Sequence, residues 1–462
     1  MTMPITIPEL YTVFKSCGTV TTDTRTLKGG ELFFALKGEN FDGNAYALAA
    51  LNAGARYAVV DKISEVARNA SAGLPDAETA SRIIPVDDTL RTLQELARWH
   101  RSMTFVNGRP LTVIALTGTN GKTTTKELIR EVLSVRYNVT ATRGNLNNSI
   151  GVPLTLLEID SSTQIAVVEM GASHPGDIKE LVDIALPDYG LITNVGKAHL
   201  LGFGSFEGVK RTKGELYDYL RRTSDKVFIN ADNPHLCAMA NERQLHSDPE
   251  RPYSLLIPYG VEYQGAIVLP ATAGFPYLRI CLPESPTLIS THLIGAYNAD
   301  NVMAAIAVGM HFGVSLEDAV KAVSDYVPSN SRSQMTRTSR NVMIVDAYNA
   351  NPTSMEAALT NFSRIEAPHK ALMLGDMLEL GEDSLAEHER IVSMAMSSGA
   401  EKVFVVGREF GKAVERMEAE GPVWFETSQD LADFISAHPL DGFTVLIKGS
   451  RGTRMEKVIP EL

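Results

Sequence analysis

The sequence predicts an α/β protein of three domains: the second and third built on doubly wound, parallel-rich sheets, and the first a smaller α/β unit. Three observations carry this expectation. The chain has 462 residues, too many for one ordinary core and close to three domains at roughly 150 residues each. Short apolar runs of strand character alternate with helical stretches, the pattern of a parallel sheet covered on both faces. A glycine-rich turn leaves one of those runs and enters a helix, where open α/β sheets bind their ligands.

Composition narrows the class. Hydrophobic residues make up 44% and charged residues 21% of the chain, an ordinary globular balance. No apolar run approaches the roughly 20 residues of a membrane helix. The opening MTMPITIPEL has no basic region ahead of an apolar stretch, so a cytoplasmic address without membrane insertion is expected. A net charge of −12 argues against a nucleic-acid partner, whose binding would rest on a basic surface. Any anionic substrate must therefore be met by local Lys, Arg and backbone N–H groups. Cys17, Cys237 and Cys281 lack CxxC spacing, which implies neither a disulfide framework nor a zinc cluster; buried, reduced thiols are expected.

The first hundred residues end in an amphipathic helix, TLRTLQELARWHRSM (89–103), and the break NGRP (107–110) closes a first domain at residues 1–106. LTVIALT (111–117) reads as a fully buried strand, followed by strand candidates QIAVVEM (164–170) and YGLITNV (189–195). Residues 253–293 are richer in strands, and a helix over 298–312 closes a second domain, 107–327. Beyond the polar PSNSRSQ (328–334), strands recur at NVMIVDA (341–347), KALMLGD (370–376), KVFVVG (402–407) and FTVLIKG (443–449). Helical patterns separate most of them, which makes residues 328–462 a doubly wound, Rossmann-like third domain.

The strongest local signal is GTNGKTTT (118–125). Gly118 and Gly121 let backbone N–H groups turn toward an anion, the helix N-terminus adds a positive dipole end, and Lys122 supplies a mobile charge. Thr119, Asn120 and Thr124 belong to the same cradle, and Thr123 can place its hydroxyl on Mg²⁺. The loop is shorter than GxxxxGK[ST], since Leu116 stands where the first glycine would be. Glu169 ends the run QIAVVE, a strand end suited to an Mg²⁺ ligand; a hard cation wants oxygen donors and few protein groups. His199, in NVGKAHLLGFGS, follows another strand end and is a metal candidate, though a lone histidine is more often structural. In the third domain the strand ends carry DAYNANP (346–352), GDMLELGED (375–383), GREF (407–410) and KGSRGTR (448–454). This polar rim is expected to face the phosphate loop across a cleft, with GREF explicable as a solvated edge.

These residues resemble the Mur ligase family over nearly the whole chain. DTRTLKGGELFFALKGENFDG (23–43) is similar to the family's uridine-nucleotide segment, GTNGKTTT to its short ATP loop, and GNLNNSIGVP (144–153) and VVEMGASHPGDI (167–178) to its middle-domain signatures. GVKRTKGELY, GAYNADN, DAYNANPTSM, LGDMLELG and KGSRGTRME complete the set, and GNLNN, DAYNAN and LGDMLELG point to the branch whose acceptor is D-alanyl-D-alanine. The resemblance implies an ATP-dependent ligase that adds this dipeptide to UDP-N-acetylmuramoyl-tripeptide through an acyl phosphate. The product would be the pentapeptide precursor of peptidoglycan, with consequences for cell shape and division, and the chain would act as a monomer.

The resemblance also assigns roles. It implies a P-loop-like central domain in which Lys122, Glu169, His199 and Lys213 form the catalytic set. Thr123 and Glu169 would hold one Mg²⁺ and His199 a second, and Lys213 would be carbamylated, with Lys210 the alternative. Asn298 and Asn301 look like adenine-side residues, Arg332 like a phosphate-side linker arginine, and Asp346 like an acceptor for ribose hydroxyls. Asp23, Thr24, Arg25, Asn40, Asp42 and Gly43 would take the uridine nucleotide, and Asn145, Asn147 and Asn148 the rest of that substrate. Tyr348, Asn349, Asn351, Asp376, Lys448 and Arg451 would meet a zwitterionic dipeptide, which needs a cation for its carboxylate and acceptors for its amine. Two rivals remain: a sister ligase with another amino acid or a folate substrate, and a phosphate-loop switch without an acceptor. A folate enzyme should lack the uridine-nucleotide segment, and no GxGxxG opens a helix after a strand, as a dinucleotide oxidoreductase would require.

Overall fold

The computed structural model describes residues 5–38, 41–62, 76–223, 226–245, 255–272, 275–283, 287–328 and 334–462. Asn40 and Arg332 lie outside the described residues. By internal contacts the chain forms two compact units, one of Met1–Ala115, Tyr137–Gly171 and Lys179–Tyr189, the other of Leu116–Arg136, Ala172–Ile178 and Gly190–Leu462. No helix among the described residues is long and apolar enough to cross a membrane.

In the first unit, strands Val20–Thr21, Leu32–Phe34, Tyr57–Val60 and Ile83–Pro85 pair in that order, all parallel. Phe33, Ala35, Ala50, Leu51, Ala58 and Val60 form a core there. Helix Ile7–Cys17 starts on a Thr6/Glu9 capping box with a proline in its first turn and stops at Gly18 in the left-handed region, start and stop signals written in its sequence. Helix Thr89–Met103 matches the predicted span and is capped by Asp88, whose carboxylate accepts the Arg91 N–H. Its inward stripe ends in buried His100, whose Nε2 lies 2.8 Å from Ile159 O and Nδ1 3.2 Å from Tyr11 Oη. Next to it, buried Arg101 donates to Asp188 at 2.9 Å and to Leu186 O at 3.0 Å.

The six-stranded central sheet runs in the order Val139–Ala141, Ile165–Glu169, Thr112–Thr117, Tyr189–Ile192, Lys226–Asn230, Leu256–Tyr259. The outer pairs Val139–Ala141/Ile165–Glu169 and Lys226–Asn230/Leu256–Tyr259 are parallel. The strand-rich stretch predicted over 253–293 also forms a separate antiparallel sheet of Ile267–Leu269, Tyr277–Leu282 and Thr287–Ile294.

In the second unit the C-terminal sheet is ordered Gln334–Arg337, Val342–Asp346, Phe443–Lys448, His369–Gly375, Lys402–Val406, Pro422–Phe425. Its first pair is antiparallel and the rest are parallel. Met355, Leu359, Phe362, Ile391 and Phe410 from three helices pack one face, and Leu431, Ile435, Met455 and Val458 the other. This is the doubly wound arrangement the alternating pattern predicts. Buried Lys370 donates to Phe362 O at 3.1 Å, Ser363 O at 3.3 Å and Ser398 O at 3.1 Å, so one ammonium serves carbonyls at the ends of two helices. The three cysteines are unpaired but only half-buried, not the fully buried thiols expected.

Candidate functional site

The buried strand Thr112–Thr117 delivers the chain to Gly118, and helix Lys122–Ser134 begins four residues later. Gly118 has φ 144° and Gly121 φ 78°, conformations that favour glycine. A Cβ on Gly118 would stand 2.0 Å from Thr193 Oγ1, and one on Gly121 2.6 Å from Asn301 Oδ1. Backbone and neighbours therefore both demand glycine at each position.

The residues just past strand Tyr189–Ile192 clasp this loop. Thr119 N–H donates to Asn194 O at 2.9 Å and Asn120 N–H to Asn194 Oδ1 at 3.0 Å. Asn194 Nδ2 and Thr193 Oγ1 both donate to Asn120 O, at 3.0 and 2.6 Å. The strand predicted to reach residue 195 stops at Ile192 because its tail leaves the sheet for these bonds. Lys122 Nζ folds back over the loop, donating to Gly118 O at 2.9 Å and Thr119 O at 3.1 Å. Thr123 and Thr124 are buried in the first helical turn.

Asn298 and Asn301 stand behind the loop, both buried. Thr125 Oγ1 donates to Asn301 Oδ1 at 2.9 Å, Asn301 Nδ2 to Asn298 Oδ1 at 2.8 Å, and Asn298 Nδ2 to Ile294 O at 2.8 Å. Their amides form a relay that ties helix Ala299–His311 to the phosphate-loop helix.

His199 has φ 50° and its Nδ1 pairs with the Glu379 carboxylate. Burial pushes its pKa below the ordinary value; the Glu379 partner opposes this, and the charges of Lys122 and Lys213 reinforce it. Lys213, on helix Phe206–Thr223, is 3% exposed with Nζ 5.7 Å from the Phe203 ring centre, whereas Lys210 pairs with Glu207 at 2.6 Å.

The C-terminal rim meets the loop. Asn351 caps helix Pro352–Ser363, its Oδ1 accepting Ser354 N–H at 2.9 Å, while its Nδ2 donates to Asn120 Oδ1 at 2.8 Å. Lys197 Nζ reaches Glu387 at 2.7 Å. Asp346 pairs with buried Lys448 at 2.5 Å, and Lys448 also reaches Asn349 O at 3.3 Å. The Arg451 guanidinium lies 5.8 Å from the Tyr348 ring centre. Asp376 is buried, accepts the N–H groups of Glu409 at 3.0 Å and Phe410 at 2.9 Å, and has its pKa raised by burial. It works as the cap of helix Arg408–Arg416.

Within the first unit Asp23 is held by Arg25, through Nη2 at 2.7 Å and the backbone N–H at 2.9 Å, which pulls its pKa down to about 2. Thr24 opens the short turn Thr24–Thr26. Asp42 accepts Asn44 N–H at 3.0 Å and Nδ2 at 2.6 Å, and a Cβ on Gly43 would lie 2.4 Å from Leu36 O. Glu169, 1% exposed, accepts Asn147 Nδ2 at 2.8 Å. Asn148 Oδ1 accepts the Ile150 and Gly151 N–H groups, and Asn145 is exposed. Among the described residues no group of three His, Cys, Asp or Glu forms a metal cage. A buried carboxylate such as Glu169 is the kind of oxygen donor taken by a hard cation that keeps water and phosphate among its ligands. Asn194, Lys197, Glu379 and His388 were not singled out from sequence, although Asn194 and Lys197 lie in NVGKAHLLGFGS and Glu379 in LGDMLELG.

A glycine-hinged phosphate loop at a strand end, touched by the rim of a second α/β sheet, defines a multidomain enzyme that works on a nucleoside triphosphate. The chain belongs to the Mur ligase family. Residues 18–101 match the description "Mur ligase family, catalytic domain", 116–309 "Mur ligase middle domain" and 331–451 "Mur ligase, glutamate ligase domain". The chain is 34% identical over 452 residues to the UDP-N-acetylmuramoyl-tripeptide–D-alanyl-D-alanine ligase of Bacillus subtilis, covering 96% of this chain and 92% of that one. Against the Escherichia coli ligase of the same name it is 33% identical, covering 96% and 93%. Among solved structures, MurF from Acinetobacter baumannii superposes with a TM-score of 0.82 at 29% identity, covering 99% and 98%. The Thermotoga maritima MurF ligase in complex with ADP gives 0.77 at 25% identity, covering 96% of each chain.

Proposed function

We propose that this chain is an ATP-dependent ligase that joins D-alanyl-D-alanine to UDP-N-acetylmuramoyl-tripeptide through an acyl phosphate, making the pentapeptide precursor of peptidoglycan in the cytoplasm. The observation that carries the reading is the hydrogen bond from Asn351, in the DAYNANP rim, to Asn120 of the phosphate loop. That bond sets the rim beside the phosphate loop, where an acceptor would have to meet the activated carboxylate. Residues 1–106 would select the nucleotide-linked peptide, 107–327 would hold ATP, and 328–462 would serve both ATP and the dipeptide. The chain would act as a monomer.

The substrate's terminal carboxylate would attack the γ-phosphate and release ADP, and the incoming amine, giving up a proton, would then displace phosphate through a tetrahedral intermediate. Both steps gather negative charge. Lys122 would exchange its two loop carbonyls for the γ-phosphate, while the N–H groups that open helix Lys122–Ser134 cradle the rest, those of Thr119 and Asn120 being given to Asn194. Bound Mg²⁺ would supply charge neutralisation on the transferred phosphoryl group. Thr123 and Glu169 would hold one such ion, Glu169 with its carboxylate oriented by Asn147, and His199 would help hold a second. Lys213, buried on helix Phe206–Thr223, would be the carbamylated lysine, with Lys210, which pairs with Glu207, the alternative. Asp346, already balanced by Lys448, would accept from the ribose hydroxyls. With Lys448 committed there, exposed Arg451 is the better partner for the dipeptide carboxylate, with Tyr348 and Asn349 beside it. Seating of the rim on the loop would exclude the water that otherwise hydrolyses an acyl phosphate.

The test is phosphate release by the purified chain with ATP and Mg²⁺. Release should require UDP-N-acetylmuramoyl-tripeptide and D-alanyl-D-alanine together. Two methyl groups offer little apolar area, so discrimination rests on hydrogen bonds and shape, and L-alanyl-L-alanine or single D-alanine should give little product. Equal turnover with either would remove the acceptor assignment.

A further inference from the structure

We propose that Glu379 is a positioning residue that sets the tautomer of His199, so that this histidine reaches its working form only when the 376–381 turn is seated against it. The proposal rests on the ligase reading, in which His199 is a magnesium-side group. Glu379 grips the 199–201 turn at two points: its carboxylate takes His199 Nδ1, and its carbonyl accepts the Leu201 N–H at 3.2 Å. Both residues adopt left-handed backbone, φ 50° at His199 and 63° at Glu379, which non-glycine residues keep only where the surroundings over-determine it.

The turn that carries Glu379 is fixed on both sides. Met377 is fully buried and Leu380 is 3% exposed, in the core of the C-terminal sheet. Met377 N–H donates to His388 Nε2 at 3.0 Å, and His388 Nδ1–H donates to Ser384 O at 2.7 Å, so the accepting nitrogen of His388 is settled. Between these two anchors Leu378 and Glu379 reach outward, 46% and 56% exposed. A polar contact that exposed adds little to docking. What it changes is the tautomer: a carboxylate accepting from Nδ1–H keeps the ring proton there and leaves Nε2 as the coordinating atom, as partners of metal-bound histidines do. The neighbouring Lys197–Glu387 pair is a docking contact of the same kind that does not involve the imidazole, and so separates docking from positioning.

The experiment is nitrogen NMR of the full chain labelled at its ten histidines, with His199 assigned by the signals lost in His199→Gln. His199 should show the Nδ1–H tautomer. Glu379→Ala should move it toward Nε2–H, Glu379→Gln, whose amide oxygen still accepts, should retain it, and Lys197→Ala should leave it unchanged. In parallel, Glu379→Ala should lower kcat about 10-fold or more and raise the Mg²⁺ requirement, with KM for ATP unchanged and Glu379→Gln recovering most of the loss. Unaltered His199 nitrogen signals in Glu379→Ala, or an equal shift in Lys197→Ala, overturn the proposal. A wild-type chain that joins no D-alanyl-D-alanine would overturn the ligase reading instead, while the nitrogen spectra still decide on Glu379.

Discussion

Lys122 is held by two carbonyls of its own loop, and Glu169 is buried with one oxygen on Asn147. Neither anchors the apolar core, so Lys122→Ala and Glu169→Ala should fold while losing ligase activity about a hundredfold or more, the usual cost of deleting one electrostatic stabiliser. Near-native turnover at saturating ATP and Mg²⁺ would remove that residue from the mechanism. The loop glycines and Lys122 were legible because their spacing carries geometry: two residues need positive φ and one supplies charge. The duties of other polar residues were not legible in the same way. Asp376 and Lys448 read as strand-end polar groups in the sequence, and the structure engages one as a helix cap and the other against Asp346. A carboxylate at a strand end has the same local sequence whether it faces a ligand or a helix N-terminus, since the partner lies tens of residues away.

Helices with written caps were legible to the residue, as Thr89–Met103 shows, whereas strand Tyr189–Ile192 ended early because hydrogen bonds to the phosphate loop, invisible locally, competed with the sheet. The helix Thr89–Met103 also carries a titration. Burial is the main force that pushes the His100 pKa below the ordinary imidazole value, with Lys15 adding to it and the Ile159 carbonyl opposing. The folded state thus binds fewer protons than the unfolded one in the window below about 6.5. Stability from the neutral ring is fully present above that window and is lost as pH falls through it. His100→Gln should lower the melting temperature at pH 7, consistent with about 1–3 kcal/mol for a disturbed buried polar contact. The gap from wild type should narrow at pH 5 in thermal scans, and a gap that stays constant would show that His100 does not titrate on unfolding.

At the scale of the whole molecule, alternation of strands and helices announced doubly wound sheets, and the family matches fall in three successive stretches, 18–101, 116–309 and 331–451. The antiparallel sheet of residues 267–294 was legible only as strand-rich, because short strands of this kind do not declare their direction. If the first hundred residues select the uridine nucleotide, a peptide substrate stripped of that nucleotide should show a strongly raised KM with the acceptor dipeptide unchanged; equal KM values would count against the assignment. Asn351 shows how tightly such parts can be geared. Its oxygen begins helix Pro352–Ser363 and its nitrogen holds Asn120, while Lys370 grips Phe362 O and Ser363 O at the far end of the same helix. The helix has 12 residues and so measures about 18 Å. A ligand that displaced Asn120 would therefore pull on a short rod held at both ends by side-chain hydrogen bonds.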